Sequence, residues 1–388
     1  MQNDERQRFL AAEFVKRYGS APTLWARAPG RVDLMGSHTD YNLGYVLTMT
    51  IDRDTWLAAR PRKDRTVTID SLNSGGGGSF RLDAIERNAT APWINYVAGV
   101  AKVLQEAGFQ FTGFDGLLHS TVPMSSGLSS SAALEMATSV LFELAGGFTL
   151  DPVQRALLGQ RAENQFVGVN CGILDQYTSS LGQAGCALLL DCRSLESRPV
   201  PIAPGIQVVI CDTQAKRELA GSEYGQRRAQ CEEGASRLGL AALREIAPAE
   251  FYNREAELPL EVAKRCRFIV EENTRVLDLA DALTTNDRSQ IAALTAASFA
   301  GAKTLYEITI SAMETMLGAM LSGPGVIGAR QAGAGFGGCM VAFVEAEAVD
   351  AFAAHTAASY NAATGIQPKN YPVQAAAGAG AVDKLNAT

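Results

Sequence analysis

The sequence predicts a two-lobed protein of mixed helix and strand, in the α/β or α+β class. Three observations carry that reading. The chain has 388 residues, more than a single small hydrophobic core serves. Strand-like and helix-like patterns mix in both halves. Pro201 and Pro204 fall in a short connector near the middle, which sets the expected lobes at 1–203 and 204–388. No fixed period repeats along the chain.

Taken in order, residues 8–18 read as a helix with Phe9, Leu10, Phe14 and Val15 on one face. Residues 46–59, rich in Thr, Val and Ile, read as strand, and so do 66–69. Four glycines, Gly75 to Gly78, read as a hairpin tip, because a phosphate loop needs a helix to follow at once. Trp93, Val97, Val100 and Leu104 step by four, three and four, which predicts an amphipathic helix over 93–107 that stops at Gly108. A strand near 116–122 runs into a Ser/Gly loop. The next helix has Ala133, Ala137, Val140 and Leu144 on one face and Gly146-Gly147 at its end. Asp151-Pro152 is an N-cap with an N1 proline, opening a helix to about Phe166. Residues 187–191 read as a buried strand. Past the connector come a strand at 208–212, helices near 223–238, 259–283 and 287–321, a glycine-rich segment and a strand at 340–344.

Composition bounds the function. Lys and Arg number 34 against 41 Asp and Glu, a net charge of -7, which argues against broad nucleic-acid or anionic-membrane binding. No apolar run approaches the ~20 residues of a membrane helix, and the polar residues 1–6 lack a signal peptide's apolar core. The seven Cys form no C-x-x-C pair and read as thiols in a reducing compartment, so a cytoplasmic protein is expected. His38, His119 and His355 are too scattered for a zinc site. Carboxylates, hydroxyls and backbone amides are left for any chemistry.

Four segments concentrate such groups. Pro123-Met124-Ser125-Ser126-Gly127-Leu128-Ser129-Ser130-Ser131-Ala132 joins a strand to a helix N-terminus. Small residues let a ligand approach the backbone, and the unpaired first-turn amides suit phosphate oxygens. No Gly-Lys-Ser/Thr occurs in it, so it is not a Walker loop, and alone Ser129–Ser131 would read as simple helix capping. The second segment runs Ala28-Pro29-Gly30-Arg31-Val32-Asp33-Leu34-Met35-Gly36-Ser37-His38-Thr39-Asp40-Tyr41-Asn42. Its polar groups make it a poor core strand, but one Arg, one His and two Asp in ten residues suit a polyhydroxylated ligand. In the third, Glu163 sits at a helix end and Asp175 in or beyond a turn, two carboxylates that near a phosphate loop could divide metal and proton work. Each alone reads as surface charge. The fourth, Gln331 to Gly338, contains G-x-G-x-x-G, but a strand follows it where a dinucleotide fold requires a helix.

In this order and spacing, the four segments resemble the GHMP small-molecule kinases, most nearly their galactokinase family. The resemblance rests on Gly30-Arg31-Val32-x-x-x-Gly36-x-His38-Thr39-Asp40-Tyr41-Asn42, on Gly127 to Ala132, on Gly333-Ala334-Gly335-Phe336-Gly337-Gly338-Cys339, and on Ser222-Glu223-Tyr224 with Arg227-Arg228-x-Gln230-Cys231-Glu232-Glu233. It runs from about residue 8 to Leu385. It implies an α+β fold with an N-lobe like ribosomal S5 domain 2 and a ferredoxin-like C-lobe, the active site lying between them. It implies ATP-dependent phosphorylation of a sugar's anomeric hydroxyl, with galactose foremost and a monosaccharide and ATP as partners; the oligomeric state, monomer or weak dimer, stays open. By position, Asp175 would be the base or anionic partner of the C1 hydroxyl and Arg31 would stabilise charge in phosphoryl transfer. Ser131 and Glu163 would hold Mg²⁺. The amides of Ser125, Ser126, Gly127, Leu128, Ser129, Ser130 and Ser131 would cradle phosphates, with Trp93 and Tyr96 near adenine. Ser37, His38, Asp40, Gly172 and Tyr224 would face the sugar.

Departures from the pattern bear on specificity. Galactokinases usually carry Glu before the motif's His, where it accepts from the sugar's C6 hydroxyl; here Ser37 stands there. Relatives acting on galacturonate or arabinose also lack that Glu, so a kinase for a C6-variant sugar is the alternative. Ser125 and Ser126 replace two usual glycines, and Lys216 replaces a usual Arg. A non-catalytic sugar sensor is a further alternative, against which Ser130-Ser131-Ala132, Glu163 and Asp175 are all present.

Overall fold

The computed structural model describes residues 3–124, 126–215 and 220–383. Ser125, Lys216 and Leu385, singled out above, lie outside them. Helix α1 (Asn3–Tyr18) leads into strands β1 (Leu24–Met35), β2 (Tyr45–Pro61), β3 (Thr66–Ser71) and β4 (Gly77–Arg81). Then follow α2 (Ile94–Glu106), β5 (Phe114–Ser120), α3 (Ser130–Gly146), α4 (Pro152–Arg161), α5 (Leu174–Leu181), β6 (Cys186–Asp191) and β7 (Ser197–Pro201). The remaining chain forms β8 (Ile206–Asp212), α6 (Ala220–Arg237), α7 (Pro248–Arg254), α8 (Leu260–Thr285), α9 (Arg288–Thr304), α10 (Ser311–Leu321), β9 (Val326–Gln331), β10 (Cys339–Glu345), α11 (Val349–Thr364), β11 (Lys369–Val373) and β12 (Gly380–Ala381).

The strands make two sheets. The first runs β12-β1-β2-β5-β3-β4, with β6 on β2 and β7 on β6; its one parallel pair is β3 with β5. The second, β11-β8-β10-β9, is antiparallel throughout. Largely antiparallel pairing makes the class α+β. The chain changes sheet between β7 and β8. It returns at its far end, where β12 pairs with β1 through Ala26 and Ala381.

One apolar core joins the sheets. Val32 and Leu34 of β1 and Met49 and Ile51 of β2 share it with Val208 and Ile210 of β8, Val276 and Leu279 of α8, and Val341 and Phe343 of β10. A second core lies between the first sheet and α2 and α3. The two cores bury successive stretches of β1 and β2 and hold the first sheet under the loops that follow its strands.

Several expectations need correction. Residues 28–35 are not a poor strand: they form the buried part of β1. Their polar side chains survive burial because each has a partner, Arg31 on Asp175 and Asp33 on Ser37. On α1 only Leu10 and Phe14 of the expected stripe are buried, while Phe9 is 40% and Val15 42% exposed. Arg6 completes the buried face, donating to His119 Nδ1 at 2.9 Å and to the Asp54 carbonyl at 3.0 Å. The helix expected over 287–321 breaks between α9 and α10, where Tyr306 and Ile308 turn into the core. The β-branched run Ile308-Thr309-Ile310 disfavours helix there. The helix from Pro152 is α-helical to Arg161 and continues as a π-helical turn, Ala162–Val167, so Glu163 lies within a helix rather than at its end. The elements α5, α7, α11, β7, β9, β11 and β12 had no expectation at all. Among the described residues no helix is long and apolar enough to cross a membrane.

Candidate active site

A cleft of about 720 Å³ opens where β1, the 126–131 loop, α5 and the start of α6 meet the glycine-rich turn after β9. Gly30 lets the loop reach β1, since a Cβ there would fall 2.8 Å from the Leu128 carbonyl. That carbonyl accepts from the Arg31 amide at 3.2 Å. Beyond it the chain enters α3, whose first-turn amides have no partner within the helix. Ser129 precedes this helix in the left-handed region (φ 55°) and makes no capping bond. Its hydroxyl instead donates to Asp175 Oδ2. The simple capping reading of this serine therefore fails.

Asp175 lies in the first turn of α5. Arg31 donates to its Oδ1 through Nε at 2.8 Å and also through Nη2, and sends Nη1 to the Gly127 carbonyl at 2.7 Å. An ionised carboxylate offers about four acceptor positions. Arg31 takes two on Oδ1 and Ser129 one on Oδ2, which leaves Oδ2 able to accept once more. The Arg31 side chain is 9% exposed and Asp175 27%, so the acid is the partner that meets the cleft.

Glu163 lies along the same wall. Its Oε2 accepts from Gln176 Nε2 at 2.5 Å and from Cys171 Sγ at 3.2 Å, and Ser131 bonds to the same carboxyl. Burial, then the charge of Asp175, raises the Glu163 pKa above the usual carboxylate range. Gln176 also donates to Glu135 Oε2 at 2.9 Å, so one amide bridges two acids. Glu135 has no exposure, and burial followed by the Glu163 charge raises its pKa well above normal. Glu135 and the part played by Gln176 were missed by sequence reasoning. Glu135 is five residues into a helix that reads as apolar, and only its place within an otherwise buried turn could have flagged it. Among the described residues, no group of three or more His, Cys, Asp or Glu could hold a metal. Ser131 and Glu163 bring hard oxygens together on the cleft wall.

The other wall carries the N-terminal motif. His38 (φ 70°) places Nε2 2.9 Å from the Ala334 carbonyl and Nδ1 2.8 Å from the Tyr41 hydroxyl. A carbonyl only accepts, so Nε2 carries the proton and Nδ1 accepts from Tyr41. Burial lowers the His38 pKa to about 4, which keeps the ring neutral. Tyr224 lies 5.3 Å from it, ring to ring. Asp40 begins the 3-10 turn Asp40–Asn42, and burial, with the charges of Asp175 and Asp33 adding to it, pushes its pKa up to about 6. Asp40 packs against Gly172, where a Cβ would sit 1.7 Å from Oδ2. Ser37 is 2% exposed and donates to Asp33.

Of the residues expected from the sequence, Arg31, Ser37, His38, Asp40, Gly172, Asp175 and Tyr224 converge on this cleft. So do Gly127, Ser129, Ser130, Ser131 and Glu163. Ser126 and Leu128 do not line it: the Ser126 hydroxyl turns to the Pro123 carbonyl at 2.8 Å, and Leu128 is buried in the shared core. Trp93 and Tyr96 are half-buried against the core of α2 and α3 and do not line the cleft. Gly333 and Ala334, from the fourth segment, close its far side.

Known proteins share this sequence pattern and fold. The galactokinase galactose-binding signature matches residues 12–61, the GHMP kinases N terminal domain 95–183 and the GHMP kinases C terminal domain 279–362. A galactokinase of Chloroflexus aggregans is 45% identical over 92% of this chain and 94% of its own length. One of Chloroflexus aurantiacus is 43% identical over 96% of each. The structure of Lactococcus lactis galactokinase complexed with galactose superposes with a TM-score of 0.92 at 33% identity, covering 96% of this chain and 98% of that one. Methanococcus jannaschii mevalonate kinase, at 16% identity and a TM-score of 0.64, shares the fold. Full-length identity of this order, together with the ordered motifs, makes the chain a member of the galactokinase family of GHMP kinases.

Proposed function

We propose that this sugar kinase transfers the γ-phosphoryl group of ATP to the anomeric hydroxyl of galactose. The observation that carries the reading is the convergence of Arg31, Asp175 and Ser129, which ties the sugar motif on β1 to the phosphate loop and α5. The remaining acceptor position on Asp175 Oδ2 receives the C1 hydroxyl, orients its oxygen for in-line attack and takes its proton. Arg31, fixed at both ends, spreads positive charge toward the transferred group, and the amides of residues 126–131 cradle the phosphates. Asp40, Tyr224 and the strand end at Ser37 line the sugar side. His38, with both ring nitrogens engaged, holds the fourth segment against the motif. Gly172 leaves room for Asp40.

Ser131 and Glu163 would hold Mg²⁺. Two protein oxygens suit an ion that keeps waters and substrate phosphates among its ligands. When bound, Mg²⁺ neutralises phosphate charge. Trp93 and Tyr96 pack at the edge of the core of α2 and α3, and Tyr96 is near enough to feel the charge of Glu163; they would lie on the adenine side. The division into lobes 1–203 and 204–388 is supported by the change of sheet between β7 and β8, with β12 as the segment that crosses back. A cytoplasmic location is supported by the free thiols Cys171, Cys186, Cys192, Cys211, Cys231 and Cys266.

The test is product formation from galactose and ATP, followed by ADP release and by the anomeric phosphate signal. Asp175→Asn lowers kcat by about 10²–10⁴-fold while affinity for a non-hydrolysable ATP analogue stays within a few-fold. Absence of turnover with any sugar, or near-normal kcat in the variant, refutes the reading.

A further inference from the structure

Asp33 and Arg31 are two residues apart on β1, so their side chains share a face of the strand, and both line the cleft. Asp33 is 1% exposed. Its Oδ2 accepts the Ser37 hydroxyl, and its Oδ1 has no hydrogen-bond partner. Buried polar atoms in that condition are few in a native fold. The neighbouring cation does not satisfy it. Arg330, itself without exposure, donates to Glu272 Oε1 at 3.2 Å, to Ser298 Oγ at 3.0 Å and to the Leu34 carbonyl at 3.1 Å. Its remaining contact is Nη2 to Ser37 Oγ at 3.4 Å. Ser37 therefore accepts from Arg330 and has given its single proton to Asp33.

That arrangement decides what position 37 can do. A serine with its proton free could donate to a carboxylate on C6; this one has none to give. The carboxylate that galactokinases carry at position 37 is missing, but a carboxylate stands beside the vacated position. We propose that Asp33 accepts the hydrogen bond of the substrate's C6 hydroxyl, with Ser37 holding it in place, and that this pair sets selectivity at C6. The proposal rests on the sugar-kinase reading above. A C6 hydroxyl finds an acceptor, a 6-deoxy sugar or a pentose leaves that acceptor unpaired, and a uronate sets two carboxyl groups against each other. The cleft then favours a neutral hexose over both C6-variant substrates that Ser37 alone would admit.

The experiment measures kcat/KM for galactose, 6-deoxygalactose and galacturonate on the full chain, in the wild type, Asp33→Ala, Asp33→Asn and the double variant Asp33→Asn/Ser37→Glu. The wild type prefers galactose over 6-deoxygalactose by about ten- to hundred-fold. Asp33→Ala brings that ratio to within about threefold of unity and raises galacturonate relative to galactose. Asp33→Asn, a neutral acceptor, falls between. The double variant, with the acceptor moved back to position 37, restores the galactose preference. If Asp33→Ala does not fold, as judged by its melting curve, the Asn and double variants carry the test. A wild type that uses galactose and 6-deoxygalactose equally overturns the proposal and leaves the kinase reading standing. So do variants in which both sugars fall together, because Asp33 is then only a counter-ion for Arg330. No turnover of any sugar by the wild type removes both.

Discussion

Replacing Gly172 by Ala tests the sugar wall with a single added methyl. The new Cβ would lie 1.7 Å from Asp40 Oδ2 and 2.5 Å from its Cγ, so the carboxylate must retreat by more than an ångström. Gly172 is not among the residues with positive φ, so alanine brings no backbone strain of its own. The damage is confined to where Asp40 points. Because Asp40 borders an open cleft, the fold loses only about 1–3 kcal/mol, the usual cost of overpacking. A binding group displaced by about 1 Å costs roughly 10²-fold, close to 2.7 kcal/mol of transition-state stabilisation. Steady-state titration of galactose at saturating ATP should show kcat/KM lower by about 10²-fold, with the KM for ATP changed less than about twofold. A melting curve on the same protein separates misfolding from misplacement. A kcat/KM within about threefold of wild type would mean that Asp40 is not held against Gly172, or does not meet the sugar.

The pKa of Asp40, pushed up to about 6, predicts an acid limb in kcat/KM for galactose. Below that pH the carboxylate gains a proton and loses its charge as an acceptor, so kcat/KM falls about tenfold per pH unit, and Asp40→Asn abolishes the limb. A flat profile down to pH ~5 contradicts the assignment. Stability should not follow the same curve. Asp40's raised pKa favours the fold below its ordinary 3.8 and is lost as pH rises through about 6, whereas His38, lowered to about 4 from 6.5, favours it above 6.5 and is lost as pH falls. Ser131→Ala removes one of two proposed metal oxygens and should raise the Mg²⁺ concentration for half-maximal rate about tenfold; an unchanged titration counts against ligation. Glu272→Ala strips Arg330 and Arg275 of a partner that has no exposure. It should cost about 3–5 kcal/mol and lower Tm by about 5 °C or more, and a Tm within 1 °C of wild type would show that relaxation or water replaces the pair.

Elements with a strong local signal were legible in the sequence. The four-three-four apolar step placed α2, the Asp151-Pro152 cap placed α4, and the glycine run placed the turn between β3 and β4. Elements whose pattern is masked were not. The polar groups of β1 disguise a buried strand because what pays for their burial lies 144 residues away, in the pairing of Arg31 with Asp175. The helix α5 is short, eight residues, and has no cap signal, since Ile173 makes no side-chain bond to it.

By itself the sequence determined which residue types are concentrated and in what order: the serine-rich loop, the Arg-His-Asp motif, the Glu163 and Asp175 pair. Motif order is a property of the chain and survives without knowledge of contacts. The tertiary structure alone decided which of those groups are free to act. Ser129 could have capped its helix but bonds Asp175; His38 has both nitrogens engaged; Ser37 has given its proton to Asp33, which is left with one oxygen open. A hydroxyl or ring N–H can be donated only once, and its partner is fixed by packing, across 46 residues for Ser129 with Asp175 and 296 for His38 with Ala334, which no local pattern records.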